Sequence, residues 1–413
     1  MIILEGKYNR AKVFTDNIEQ KAISQIIELC NQSFAKDSKI RIMPDVHAGK
    51  GCTVGTTMTI QNKVVPSLVG VDIGCGVDAV ILNEKELNLK ALDAVVREFI
   101  PSGFDIREKE HKYAEKINFS DLRCKNYINI NRARLSVASL GGGNHYCECN
   151  KDSKGNIYLV VHSGSRYLGK QVAEHYQEIA YRELASLKEK KQELIKHLKH
   201  QNREKEIQKE LKKLQPAKIK KDLAYLEGKH FEDYINDMKI VQTYAAYNRK
   251  AIIGEIVEKM NLTVVDHIST IHNYIDTEDM ILRKGAVSAQ KEERLIVPIN
   301  MRDGSIIAIG KGNKEWNYSA PHGAGRLMSR SVAKQVINLE DFMETMKGIY
   351  STSVNESTID EAPFAYKPIE EIIENTKDTI EIVEIIRPIY NFKSSKKLNC
   401  NLNHVANYPP LNP

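Results

Sequence analysis

Asp72 and Cys75 stand three apart in VDIGCG, where glycines on both sides of the cysteine allow a tight turn that can aim a carboxylate and a thiolate at one cation. Taken alone they read equally well as a buried cysteine beside a turn-capping aspartate. His145 in GGGNHYCE, His162 in VVHSGSR and His272 in TIHNYI shift that balance, because each lies at or near the end of an apolar run among small or polar neighbours. Five candidate ligands on separate strand-like segments could fill one or two metal sites, and thiolate with imidazole suits zinc. Histidine number decides nothing in a chain with 12. His175, His197, His200 and His230 fall in charged helical stretches and read as solvated. His267 and His272 are five apart, so on a regular strand they face opposite ways and one at most reaches a common site.

His322 lies in SAPHGAGRLMSR, where the following glycines are similar to a phosphate-cradling loop entering a helix. A histidine there could bind a metal, bind a phosphate, or attack phosphorus as a nucleophile, and local spacing does not choose among the three.

The elements that must position these residues repeat one plan. NKVVPSLVGVDIGCG, NIYLVVHSGSR and RLIVPINMRDGS are Val- and Ile-rich runs ending in glycine clusters, and SLGGGNHY is a shorter version. Between Tyr181 and Leu226 the character changes to Lys, Glu, Gln and Leu. Leu184, Leu187, Leu194 and Leu198 form one helical stripe, and Ile207, Leu211 and Leu214 another, which predicts a helical hairpin ended by Pro216. Residues 188 to 221 hold 13 Lys or Arg against 5 Asp or Glu, so the chain's net +6 is +8 there and −2 elsewhere. The hairpin reads either as a solvated insertion or as an RNA-contacting arm. Residues 394 to 413 read as a flexible polar tail.

With 413 residues, 42% hydrophobic and 28% charged, the composition is that of a folded chain and excludes a disordered one. Its most apolar stretch, Val64 to Leu82, is broken by Pro66, Gly70, Asp72 and Gly74, so no membrane span is expected. No secretory signal is expected either, and seven scattered cysteines do not make a disulfide framework. A cytoplasmic location is the expectation.

As a set, the motifs resemble the RtcB family of RNA-splicing ligases. MPDVHAGKGCTVGTT, VGVDIGCGVD, LGGGNHYCE, VVHSGSRYLG, IHNY, RKGA, HGAGRLMSR and EAPFAYKP occur in the family's order. The resemblance implies an α+β fold, a single mixed catalytic domain over residues 1 to 393 with a central metal pocket, interrupted by the hairpin at 181 to 226. It implies GTP-dependent joining of RNA 3′-phosphate or 2′,3′-cyclic phosphate ends to 5′-hydroxyl ends, in tRNA splicing or RNA repair. Cys75 matches a thiolate bridging two manganese ions, with Asp72 and His272 completing one site and His145 and His162 the other. His322 matches the nucleophile that takes up GMP. Asn144, Glu148, Asn273, Asn300, Ser305, Gly323, Ala324, Gly325, Tyr366 and Lys393 match nucleotide-contacting positions, Glu148 being able to accept from the guanine N1 and N2 donors that adenine lacks. An activating protein partner belongs with the RNA as a candidate.

The sequence also departs from the family pattern. PINMRDGS replaces a Pro-Gly-Ser-Met-Gly stretch, which puts Asn300 where a base-contacting serine is usual and Arg302 where a glycine is. Pro321 precedes the histidine in place of cysteine, and 20 residues follow Lys393. Two rival functions are a two-metal phosphoesterase acting on RNA termini and a repair-complex component that binds RNA without ligating it.

Overall fold

The computed structural model describes residues 1 to 186, 188 to 213 and 220 to 394. It is an α+β fold built on two sheets whose facing ends frame the histidines.

The larger sheet has seven strands in the order Val264–Ile271, Gly76–Leu82, Ile157–Ser163, Tyr146–Lys151, Ile380–Lys393, Gly304–Gly310 and Arg294–Asn300. Every neighbouring pair is antiparallel. Ile157–Ser163 is buried at all seven positions, which explains why its sequence is a continuous apolar run and not an alternation. The helix Gly228–Met260 covers one face, packing on Ile157–Ser163 and Gly76–Leu82.

The second sheet runs Ile2–Glu5, Arg10–Val13, Ile40–His47, Val54–Thr59, Ile281–Lys284, Asn273–Asp276, with one parallel pair between Arg10–Val13 and Ile40–His47. His272 is the single residue between Ile271, the last of one sheet, and Asn273, the first strand residue of the other. Its amide donates to the Cys75 carbonyl at 2.9 Å, and its carbonyl accepts from the amides of Gly285 and Ala286 at 2.6 and 3.3 Å. Both sheets are therefore pinned together at a candidate ligand.

The charged stretch is helical where it is described. Tyr181–Ala185 ends the long helix Arg166–Ala185, which packs on the body. Lys188–His200 then turns through Gln201 and Asn202 into a short 3-10 helix, Glu204–Glu206, and the helix Ile207–Lys213 packs back against it. At the other end, Leu223 and Leu226 are buried in the main core. Leu187, Leu214, Pro216 and the tail beyond Ser394 lie outside the described residues. Among those described, no helix is long and apolar enough to cross a membrane.

Candidate active site

Antiparallel register explains how distant motifs meet. Gly76 pairs with Ile271 and with Ser163, Val77 pairs with His162, and Tyr146 pairs with both His162 and Lys393. Cys75, His272, His162, His145 and Lys393 consequently gather at one end of the larger sheet. Gly164 approaches the Asp72 carboxylate so closely that a β-carbon there would meet Oδ1 at 2.3 Å.

Five side chains converge there. Cys75 Sγ lies 3.4 Å from His145 Nε2 and 3.3 Å from His162 Nε2, while His145 Nε2 is 3.0 Å from Asp72 Oδ2 and His162 Nε2 is 3.4 Å from His272 Nε2. The donor atoms fall into two groups, Asp72 with Cys75 and His145, and Cys75 with His162 and His272, each within 4.8 Å. Geometry thus replaces the expected pairing of Asp72 with His272 and of His145 with His162. The reason is the order of strands, since His272 and His162 flank the Cys75 strand while His145 reaches across to the Asp72 turn. Of these five residues, Cys75 alone belongs to both groups.

The donor set fits divalent cations. His162 Nδ1 donates to the Asn144 carbonyl at 3.1 Å, which leaves the Nε2 lone pair for a cation. Burial lowers the pKa of His162 and His272 well below the usual range, aided by neighbouring histidines, so both stay neutral. Burial raises Asp72, but the hydrogen bond and charge of His145 and the Ser165 amide outweigh it and hold the carboxyl below its usual range. Burial and the Asp72 charge push the Cys75 thiol well up, so a bound cation is what would ionise it. The His145 Nδ1 atom is buried without a hydrogen-bond partner.

Two buried side chains hold this arrangement from behind. Arg249, on the helix Gly228–Met260, donates to the Gly74 and Ser163 carbonyls at 2.9 and 3.1 Å and pairs with Asp78 at 2.8 Å. Asn248 donates to the Ser139 carbonyl, the Ser163 hydroxyl and the Gly164 carbonyl.

Next to the cluster opens a cavity of about 730 Å³. His322 lines it, its ring centroid 4.8 Å from that of His272. Asn144, Glu148, Asn300, Gly323, Ala324, Gly325, Tyr366 and Lys393 line the same cavity. Gly325 has φ 74°, and a β-carbon there would meet the Asp45 carbonyl oxygen at 2.4 Å, so both conformation and space require glycine.

Two nominated residues are elsewhere. Asn273 bridges the Asp72 carbonyl and the Gly285 amide at 3.2 and 3.0 Å, behind the ligand turn. Ser305 is fully buried in a strand covered on both faces, its Oγ without a hydrogen-bond partner. Asn300 does line the cavity, but its side chain holds its own turn. It accepts from the amides of Arg302 and Asp303 and donates to the Asp303 carboxylate, which also grips Arg302.

Glu148 is buried, bonded by Asn391 at 2.6 Å and Asn150 at 3.4 Å. Burial raises its carboxyl to about 7 against the opposing pull of Lys393 and the two amides. Lys393 contacts Glu361 at 2.6 Å.

Sequence reasoning missed Asp45, Glu361 and His47. Asp45 is fully buried on Ile40–His47, and Oδ2 accepts from His322 Nδ1 at 2.6 Å and from the amides of His322 and Gly323 at 3.1 and 3.2 Å. A carboxylate inside the apolar strand of MPDVH was its available signal. Glu361 joins Lys393, Arg330, Arg326 and the Tyr366 hydroxyl. Burial pushes it up, yet Lys393, Arg330 and Arg326 together hold it at about 2. His47 lines the cavity with Nδ1 donating to the Asp45 carbonyl at 3.0 Å.

Comparison with known proteins bears on this geometry. The family model described as tRNA-splicing ligase RtcB matches residues 25–127 and 108–394. The RNA-splicing ligase RtcB of Escherichia coli (strain K12) is 30% identical, with 90% of this chain and 94% of that protein covered. The tRNA-splicing ligase RtcB of Aeropyrum pernix is 25% identical over 83% of this chain and 84% of that protein. With a match that covers all of the larger sheet and takes in the Cys75 cluster and His322 alike, the chain belongs to the RtcB family.

Proposed function

We propose that this protein is an RNA ligase that joins RNA 3′-phosphate or 2′,3′-cyclic phosphate ends to 5′-hydroxyl ends at the expense of GTP, in tRNA splicing or RNA repair. The observation that carries the reading is the meeting of His322 with the Asp-Cys-His cluster at the wall of one cavity. Manganese is the metal of the family resemblance; Asp72, Cys75 and His145 would hold one ion and Cys75, His162 and His272 a second, which would draw charge from phosphoryl oxygens.

His322 acts as the nucleophile. The Asp45 carboxylate accepts from Nδ1, so that nitrogen keeps its proton and Nε2 presents a lone pair. A bond forms from Nε2 to the α-phosphorus of GTP as the bond to the β-phosphate oxygen breaks, and pyrophosphate leaves with the electron pair. GMP then passes from His322 to the RNA 3′-phosphate. The 5′-hydroxyl of the second strand attacks that activated phosphorus, loses its proton, and GMP departs.

Glu148 is the proposed reader of guanine, and Lys393 its positively charged neighbour, fixed by Glu361. The Gly323 amide is already engaged by Asp45, so this loop positions the nucleophile as well as facing the phosphates.

Incubation with α-labelled GTP and manganese tests the reading. Label should appear on the protein, lost in acid and retained in alkali as a phosphoramidate requires. An unlabelled protein that nonetheless removes terminal phosphates from RNA would establish the phosphoesterase instead.

A further inference from the structure

Three aromatic rings stand exposed on one flank of the molecule: Phe104 at 52%, Tyr127 at 43% and Tyr167 at 46%. A single exposed ring is ordinary on a protein surface. These are distinguished by the cations beside them. The Arg132 guanidinium lies 5.8 Å from the Tyr167 ring centroid and donates to the Phe104 carbonyl at 3.2 Å. The Lys170 ammonium lies 5.9 Å from the same Tyr167 ring. Its contact with Glu174, at 3.9 Å between half-exposed side chains, is a weak competitor for that charge. Further along the helix Arg166–Ala185, Tyr127 stacks on His175 with centroids 4.5 Å apart.

The flank adjoins the metal cluster. Gly103, the neighbour of Phe104, donates to the Gly141 carbonyl at 2.9 Å and accepts from Arg166 at 2.8 Å. Arg166 and His145 approach the same Gly141, since a β-carbon there would meet Arg166 Nη1 at 2.0 Å and His145 Nδ1 at 2.5 Å. From Gly141 the chain runs through exposed Gly143 and Asn144, and Asn144 lines the cavity. Asp72 keeps 27% of its side chain exposed, so the cluster is reachable from solvent.

We propose that Phe104 and Tyr167, with Arg132 and Lys170, form a stacking platform for unpaired bases of an RNA strand whose end reaches the metal cluster past Gly103 and Gly141. The inference rests on the ligase reading and names the surface by which that substrate approaches. Each base offers a π face to an aromatic ring without sequence preference, and guanidinium or ammonium groups beside the rings meet the phosphates. A ligase that accepts varied ends needs this sequence-tolerant grip. Tyr127, stacked on His175 further along the helix Arg166–Ala185, extends the platform by one ring.

Titration of the full-length protein with a fluorescently labelled single-stranded RNA dodecamer bearing a 5′-hydroxyl tests the platform, with melting temperature recorded for every variant. Phe104→Ala and Tyr167→Ala should each weaken binding about tenfold, the usual effect of deleting one stacking ring. Tyr167→Phe should bind within about twofold of the native protein while Tyr167→Leu, of similar bulk, should match the alanine variant; a structural role would not separate those two. Arg132→Gln should weaken binding and reduce the log–log salt slope by roughly 0.7. Native-like affinity of the Phe104→Ala/Tyr167→Ala double variant overturns the platform and leaves the ligase reading standing. A native protein without affinity for this RNA overturns both, and native binding restricted to a blunt duplex overturns the stacking role.

Discussion

One oxygen of Asp45 fixes His322 twice and the next residue once: Oδ2 lies 2.6 Å from ring Nδ1 and 3.1 Å from the His322 amide, and 3.2 Å from the Gly323 amide. Ring rotation, tautomer and local backbone therefore depend on a single buried carboxylate. Such an acceptor orients the imidazole and stabilises the positive charge that builds on it as Nε2 bonds to phosphorus.

His322→Ala should abolish covalent labelling from GTP while metal content stays at the native level, because the ring is not one of the five clustered donors. Asp45→Asn should keep the fold but slow labelling by about 10² to 10⁴, since an amide can present its NH₂ to Nδ1 and favour the wrong tautomer. Rapid-quench measurement of the labelled protein checks both. A rate for Asp45→Asn within threefold of native would leave His322 without its proposed orienting partner.

Cys75→Ser should lower affinity for both ions together, because Cys75 is the one donor shared by the two groups. A hydroxyl is a poor anionic bridge where a thiolate serves two cations. Asp72→Asn, by contrast, should affect chiefly the ion shared with His145. Elemental analysis after dialysis against graded manganese separates the two patterns, and a Cys75→Ser protein still holding two ions at native affinity would rule out the bridge.

The legible part of this site was its set of reactive residues, and the less legible part was their grouping. Asp72, Cys75, His145, His162 and His272 announce themselves by type and by glycine-rich surroundings. Which of them share a cation follows from strand order, with His162 and His272 flanking the Cys75 strand, and nothing local in the sequence fixes that order. Asp45 is hidden for a related reason, because a lone carboxylate on an apolar strand acquires a role only when His322 is brought against it from 277 residues away. The Asn300 departure shows the converse. Sequence singles it out as a change at a base-contacting position, whereas the side chain is taken up with its own hairpin turn. Helical periodicity foresees that Lys188–His200 and Ile207–Lys213 pair across a short turn, but not the break before them, since Leu184 of the expected stripe belongs to the helix Arg166–Ala185 and packs on the main core.

Glu148 should give the protein a measurable pH dependence. Its carboxyl rises from the usual 4.5 to about 7 in the fold, so between those values the native state holds a proton that the unfolded state releases. This contribution to stability is fully present below the unfolded value and is lost as pH rises through about 7, amounting to something on the order of 3 kcal/mol. Glu148→Gln should flatten that part of the profile in metal-free protein, as followed by denaturant midpoint against pH. GTP affinity should run the other way, strengthening as pH passes about 7 and Glu148 becomes a full acceptor, and Glu148→Gln should remove that rise. Equal use of ATP and GTP by the native protein would show that Glu148 does not read guanine.

Arg249→Met should be severely destabilising. The change leaves Asp78 without its buried cation and removes the donor held by the Gly74 and Ser163 carbonyls, at the two turns that present Cys75 and His162. Breaking a buried pair from one side costs about 3 to 5 kcal/mol. Arg249→Met with Asp78→Leu should recover part of that stability without recovering metal affinity, because only the ion pair is repaired and the two carbonyls stay unsupported. Thermal melts and manganese titration of both variants check this, and full recovery of metal affinity in the double variant would confine Arg249 to its pairing with Asp78.

Excising residues 188 to 213 and closing the gap with a short Gly-Ser linker decides what the charged helices do. The cut leaves the anchoring residues in place: Lys220 pairs with Glu28, Lys221 with Glu178, and the Lys221 and Ala224 carbonyls accept from Gln177. Covalent labelling from GTP should survive, because every residue proposed for that step lies outside the segment. For every phosphate that the arm neutralises, its removal would reduce the salt slope of RNA binding by close to one unit on a duplex and about 0.7 on a single strand. Weaker binding with a flatter slope therefore identifies an RNA arm, whereas unchanged affinity and slope identify a solvated insertion. The insertion is the expected outcome, since Leu198 is buried and the two described helices pack on each other. Loss of labelling on excision would mean that the hairpin supports the body, contrary to both readings.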